Sequence, residues 1–198
     1  MTVDMKRIGL TGGIGSGKSA VADVWRERGA LIVDSDLLAR EAVAPGSSGL
    51  AEIALRWPAV IAADGTLDRA ALARIVFDNA EERATLNGIV HPRVRALARA
   101  REAAAPAGIL IVHVIPLLFE GEYWRTCDAT VVVIAPDEAR IARVIERDGL
   151  DRASVLQRMR AQIDPSEARR RATYAIDNDA DLTTLRLRAN VVYDRLVS

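Results

Sequence analysis

This 198-residue chain offers little sulfur for chemistry and no surplus of charge for binding. Its one cysteine, Cys127, rules out an intrachain disulfide and suits a reducing compartment. With no histidine near it in sequence, Cys127 reads as a small buried hydrophobe rather than a nucleophile. Aromatic residues make up 4% of the chain, and Lys+Arg equals Asp+Glu at 27 each. Zero net charge and scarce rings argue against a general nucleic-acid or membrane-surface role. No apolar run approaches the roughly 18 residues of a membrane span, and no charged-then-apolar leader opens the chain. The expected setting is the cytoplasm, as a monomer, with no nucleic acid or membrane as partner. Lysine is nearly missing as well: Lys6 and Lys18 are the only two.

What is present is aliphatic and rhythmic. Half of the residues are hydrophobic, mostly Ala, Val, Leu and Ile, a mix that favours an α/β protein with Ala-rich helices. Ile8 and Leu10 mark a first short strand, and 30–33 a second. The continuous apolar runs 109–115 and 130–134 suit parallel strands covered on both faces, and 174–176 reads as a short edge strand. Helical stretches alternate with these, which implies a doubly wound parallel sheet of about five strands in a single domain spanning the chain. Residues of about 45–105 hold mostly helix and read as an insertion over the carboxyl edge of the sheet, where ligands bind in such folds. The long helical stretch 81–105 is expected to break at His91-Pro92, because proline biases the residue before it away from helical angles. Pro136 opens a helix to Arg147 that Asp148-Gly149 stops, and Asp151 caps another that reaches about Ile163.

Residues 12–19 read Gly-Gly-Ile-Gly-Ser-Gly-Lys-Ser, a complete phosphate-loop pattern between a strand and a helix. Its backbone N–H groups suit a nucleotide's phosphates, and the following helix turns its positive end toward them. Gly13, Ile14, Gly15, Ser16, Gly17, Lys18, Ser19 and Ala20 are the candidate nucleotide-binding residues. Lys18 is placed to reach the β- and γ-phosphates and the Ser19 hydroxyl to ligate Mg²⁺. In a chain that otherwise uses Arg, that lysine suggests a need for a compact ammonium.

The loop alone does not separate a kinase from a nucleotide-dependent switch. A guanine-binding switch usually carries Asn-Lys-x-Asp, and this chain has no such string. Asp34 and Asp36, at the end of the second strand with Arg40 a turn later, favour a kinase, which needs a carboxylate to orient a hydroxyl and take its proton. Asp36 is the candidate base. Asp34 is a candidate to hold substrate or Mg²⁺ through water, and either Asp is also a good helix cap. Arg140, Arg143 and Arg147 share one helix face and suit a lid over the transferring phosphoryl group; the alternative is a solvated face paired with Glu138 and Glu146. His113, inside an apolar strand, reads as a hydrogen-bonded core histidine. His91 suits either a helix-entry turn or the phosphates of an acceptor.

At this level of detail the chain resembles the dephospho-coenzyme A kinase family over nearly its whole length. The segments that carry the resemblance are Gly9–Ser19, Val33–Arg40, Asp64–Arg69, His91–Arg95, Pro116–Glu120, Arg143–Arg147 and Ile176–Asn178. It departs at Ala20, where Thr is common, at Ser35, where Ala is usual, at His113 and at Asp179. The resemblance implies ATP- and Mg²⁺-dependent phosphorylation of the ribose 3′-hydroxyl of dephospho-coenzyme A, with a lid over about 138–172. It implies Asp36 as the base, with Lys18, Arg143 and Arg147 as the other catalytic groups. Asp34, Asp36, Arg40, His91 and Leu117 are implied as acceptor contacts. A nucleoside or sugar kinase of the same fold is the sister reading.

Overall fold

The structure is a computed structural model and describes residues 6–198. In chain order its elements are β1 (Arg7–Thr11), α1 (Lys18–Glu27), β2 (Leu31–Asp34), α2 (Ser35–Ala42), α3 (Ser48–Arg56), α4 (Arg69–Val76), α5 (Ala80–Ala103), β3 (Ile111–Val114), β4 (Ala129–Ile134), α6 (Asp137–Asp148), α7 (Arg152–Arg160), α8 (Pro165–Arg171), β5 (Tyr174–Asp177) and α9 (Leu182–Val197). They form two compact units. One holds the described residues up to Val33 together with Ala105–Ser198, and the other holds Asp34–Ala104.

The first unit is built on a five-stranded sheet of order β2-β3-β1-β4-β5. β1 pairs in parallel with both β3 and β4, and β4 in parallel with β5. The expected sheet of about five strands is therefore present, with the 174–176 segment at one edge. Strand alternation explains the core. Ile8 and Leu10 are fully buried among Val21, Val24 and Trp25 of α1 and Leu185, Ala189 and Tyr193 of α9. The Trp25 indole donates to the Ala189 carbonyl at 2.9 Å, so the largest side chain between these helices carries no unmatched polar atom. On the other face Phe119, Val132 and Ala168 form a second cluster. Both faces are covered, which is why β3 and β4 read as unbroken apolar runs. No helix among the described residues is long and apolar enough to cross a membrane.

The second unit is helical, around Val43, Ile53, Trp57, Val60, Leu72 and Ile89. Its helices start at side-chain caps: Asp34 for α2, Ser47 for α3, Asp68 for α4 and Asn79 for α5. The break expected at His91-Pro92 does not occur, and α5 runs unbroken from Ala80 to Ala103. Pro92 has no N–H for the carbonyl four residues back and would crowd it. That residue is Gly88. One residue on, the Ile89 carbonyl accepts from Nη1 of Arg93 at 2.7 Å. Arg93 also binds Ser48 Oγ at 3.1 Å and Glu52 at 2.7 Å, which ties α5 to α3 across the proline. Tertiary contacts outweigh the local bias here.

Alanine normally favours a helix over glycine by about 1 kcal/mol. At Gly49, however, a Cβ would lie 2.1 Å from the Ala42 carbonyl oxygen. Gly49→Ala is expected to destabilise the protein by about 1–3 kcal/mol, seen as a lower urea midpoint. An unchanged or raised midpoint would mean that α3 shifts away at no cost.

Candidate active site

The phosphate-loop residues lie between β1 and α1. Gly17 is the N-cap of α1 with φ 98°, a left-handed conformation, and supplies no side-chain cap. Among the described α-helices α1 is alone in having neither a side-chain cap nor an acidic residue in its first turn. The first N–H groups of a helix have no partner within it, and they carry the positive end of its dipole. Elsewhere this chain meets those donors with Asp, Asn or Ser, or with acids in the first turn. At α1 it does neither, and the Lys18 ammonium adds a full positive charge to the same helix end. Lys18 Nζ donates to the carbonyls of Gly12 and Gly13, the latter at 3.2 Å, which holds the charge over the loop.

Side chains from far along the chain fix the loop's backbone. Asn178, just past β5 and 5% exposed, donates from Nδ2 to the Ser16 carbonyl at 2.8 Å. The N–H of Ile14 donates to Oε1 of Gln162 at 2.8 Å. The Ile14 carbonyl accepts from Nε of Arg140 at 3.0 Å. A Cβ at Gly17 would lie 2.4 Å from the Asn178 amide nitrogen, and one at Gly15 would lie 2.5 Å from the Arg140 carbonyl oxygen. Glycine is thus required here by close approach as well as by positive φ.

The three arginines of α6 separate in space although they share a sequence period. Arg140 is 5% exposed, packed on the loop and also bonded to Asp137 at 3.1 Å. Burial holds its pKa below the ordinary value, with Asp137 acting in the opposite sense. Arg143 reaches the Gly15 carbonyl with Nη1 at 3.2 Å. Arg147 forms a two-pronged pair with Asp148, at 2.7 and 2.9 Å, on the exposed end of the helix. That pair raises the Arg147 pKa and lowers that of Asp148. The Glu138 partner considered for this face belongs instead to Arg152.

Of the other sequence candidates, Asp34 caps α2, its Oδ1 accepting from the N–H groups of Asp36 at 2.9 Å and Leu37 at 3.2 Å. Asp36 stands exposed in the first turn of the same helix, and Arg40 lies in its last turn. His91 is exposed on α5, and Leu117 is half exposed after β3. His113 is 4% exposed and shares a 3.1 Å hydrogen bond between its Nδ1 and the Tyr123 hydroxyl, as expected of a core histidine.

A family model described as dephospho-CoA kinase matches residues 6–184. The chain belongs to the dephospho-CoA kinase family. It is 47% identical over 182 residues to the dephospho-CoA kinase of Deinococcus radiodurans, covering 91% of this chain and 87% of that one. It is 43% identical over 194 residues to the dephospho-CoA kinase of Moorella thermoacetica, covering 96% and 91%. A crystal structure from Thermus thermophilus superposes with a TM-score of 0.87 at 39% identity, covering 98% of both chains.

In this member of the dephospho-CoA kinase family, the roles that the sequence did not show are those of Arg140, Gln162 and Asn178 as side chains bonded to the backbone of the phosphate loop. Signals for them did exist: Arg140 lies one turn before Arg143, and Asn178 ends one of the matching segments. Burial against the loop was not among those signals. For a metal, no cluster of three or more His, Cys, Asp or Glu among the described residues suits one. A Mg²⁺ ion keeps waters and substrate phosphate oxygens as ligands and needs only one or two protein oxygens. The exposed Ser19 hydroxyl in the first turn of α1 fits that limited role.

Cys127 takes no part in this chemistry. Burial pushes its thiol up to about 11 from an ordinary 9.0, against the pull of Arg7. At pH 8 that leaves about a hundredth of the thiolate of an ordinary cysteine. The folded pKa lies above the unfolded one, so the associated stability is present below about pH 9 and lost as pH rises toward 11. Iodoacetamide at pH 8 is expected to alkylate the native protein about 100-fold more slowly than the urea-unfolded chain. Equal rates would place the thiol in open water.

Proposed function

We propose that this chain transfers the γ-phosphoryl group of ATP to the ribose 3′-hydroxyl of dephospho-coenzyme A, giving coenzyme A and ADP. The observation that carries the reading is the N-terminus of α1, which has no side-chain cap and no acid in its first turn, with the Lys18 ammonium over the loop, in a chain of this family. Lys18 and the loop amides other than those of Ile14 and Ser16, which are bonded within the protein, hold the β- and γ-phosphates. The Ser19 hydroxyl would hold Mg²⁺, which would supply neutralisation of the phosphate charge.

Asp36 orients the 3′-hydroxyl and takes its proton as the oxygen attacks phosphorus in line with departing ADP. Asp34, engaged as the α2 cap, holds the turn that presents Asp36, and its second oxygen is assigned to the acceptor. Arg143 and Arg147 stabilise charge on the transferring group. Arg147 leaves only an exposed ion pair to do so, and such pairs contribute little. The acceptor carries a diphosphate. Arg40 on α2 and His91 on α5 are assigned to it, with Leu117 against its apolar parts. Arg95 and Arg99 follow His91 at four-residue steps on the same exposed face and add two guanidinium charges to it. Residues of about 45–105 cover the acceptor, and about 138–172 serve as the lid.

The direct test is ADP release from ATP and Mg²⁺ with and without dephospho-coenzyme A, with coenzyme A identified as product. ADP formed equally without the acceptor would overturn the assignment. Lys18→Ala is expected to lower kcat on the order of 100-fold or more, because it removes a charge on the developing phosphoryl oxygens. Asp36→Asn is expected to lower kcat on the order of 100-fold while the KM for ATP stays within about threefold. Unchanged turnover in Asp36→Asn would remove Asp36 as the base.

A further inference from the structure

Ile14 sits inside the phosphate loop, yet its side chain packs into the apolar cluster of a different segment. That cluster is Ile141 and Val144 of α6 with Val155 of α7, and Leu156 and Met159 lie at its margin. The peptide groups of Ile14 are taken as well. Arg140 Nε binds its carbonyl at 3.0 Å, and Gln162 Oε1 accepts from its N–H at 2.8 Å. Arg140 Nη2 also donates to that Oε1, at 3.4 Å, so the two side chains close a ring around a single residue. Arg140 lies in the first turn of α6, and Gln162 lies two residues past the end of α7. The neighbouring glycines fit the same surface. A Cβ at Gly13 would lie 2.1 Å from the Arg140 guanidinium. Just beyond the ring, Ile163 N–H binds Glu120 at 2.7 Å and anchors the segment's exit.

With its N–H committed to Gln162, Ile14 has no backbone donor left for a phosphate. What it supplies is a joint. The segment it joins carries Arg143 and Arg147. We infer that Ile14 and Gln162 are positioning residues that key the α6–α7 segment to the phosphate loop, so that a nucleotide fixing the loop also fixes Arg143 and Arg147. This rests on the reading of residues 12–19 as the nucleotide loop. Both bonds to Gln162 use Oε1 alone, so a carboxylate at that position keeps both acceptor contacts, whereas a leucine loses both.

The test compares wild type, Ile14→Ala, Gln162→Leu and Gln162→Glu by hydrogen exchange with and without MgADP, alongside steady-state kinetics. In wild type, ADP is expected to protect both 13–19 and 149–161. In Ile14→Ala and Gln162→Leu at saturating ADP, protection of 13–19 is expected to persist while that of 149–161 falls. In the same two variants kcat is expected to fall about tenfold, with the KM for ATP within about threefold. Gln162→Glu is expected to restore both readouts. Full ADP-dependent protection of 149–161 in either damaged variant, with kcat unchanged, would overturn the inference. So would a Gln162→Glu protein as impaired as Gln162→Leu. A wild type in which ADP leaves 13–19 unprotected would overturn the nucleotide-loop reading, and the inference with it. Should Gln162→Leu fail to fold, Ile14→Ala carries the test, with Ile14→Val as its conservative control.

Discussion

The candidate site depends on a helix end that no side chain caps and no carboxylate approaches in its first turn. The first turn of α1 has a glycine cap, no carboxylate and a lysine, so partial positive charge from the backbone and a full charge from Lys18 accumulate at one point. Such a point needs rigid backing, because an anion site made of peptide N–H groups is only as good as the aim of the peptides. Asn178, Gln162 and Arg140 supply that backing by occupying the outward-facing groups of Ser16 and Ile14. Each arrives from a separate element past β4. The order of the sheet, with β1 flanked by β4 and β4 by β5, brings those elements beside the loop.

The same economy governs the charges. Many arginines are fastened, some to carboxylates at the surface, and Arg93 and Arg140 to backbone as well. An arginine's planar fork suits that use, since it meets two acceptors at once. In the phosphate loop the requirement differs. A compact ammonium must sit within reach of Gly12 and Gly13 and still face a ligand, and there the chain uses Lys18. The two kinds of cation are divided by geometry, although their formal charges are equal.

Much of the fold could be read from pattern. β3 and β4 are covered on both faces, so their sequences show unbroken apolar runs, and Gly149 and Asp151 mark the end of α6 and the start of α7 directly. Other parts were not legible. The helix α8, Pro-Ser-Glu-Ala-Arg-Arg-Arg, has one buried residue, Ala168, and hence no apolar period to detect. The continuity of α5 through Pro92 goes with Arg93, which meets the Ile89 carbonyl and reaches Ser48 and Glu52 of α3, contacts more than forty residues away in sequence. At the candidate site, Lys18, Ser19 and the glycines stand in one consecutive motif and are legible as a string. The three loop fasteners are scattered over positions 140, 162 and 178, with nothing local to show that they converge.

Taken alone, the amino-acid sequence determined the α/β class, the strand segments, the phosphate loop with Lys18 and Ser19, and the pair Asp34 and Asp36. Those features are local, written in periods of two or 3.6 residues or in a contiguous string. Tertiary structure decided which Asp caps α2, which α6 arginine is buried on the loop and which lies in solvent, and which distant side chains hold Ile14 and Ser16. Residues 140, 143 and 147 have the same spacing rule and the same side chain. Only the approach of the loop to one part of α6 makes the first a buried fastener and leaves the last an exposed partner of Asp148.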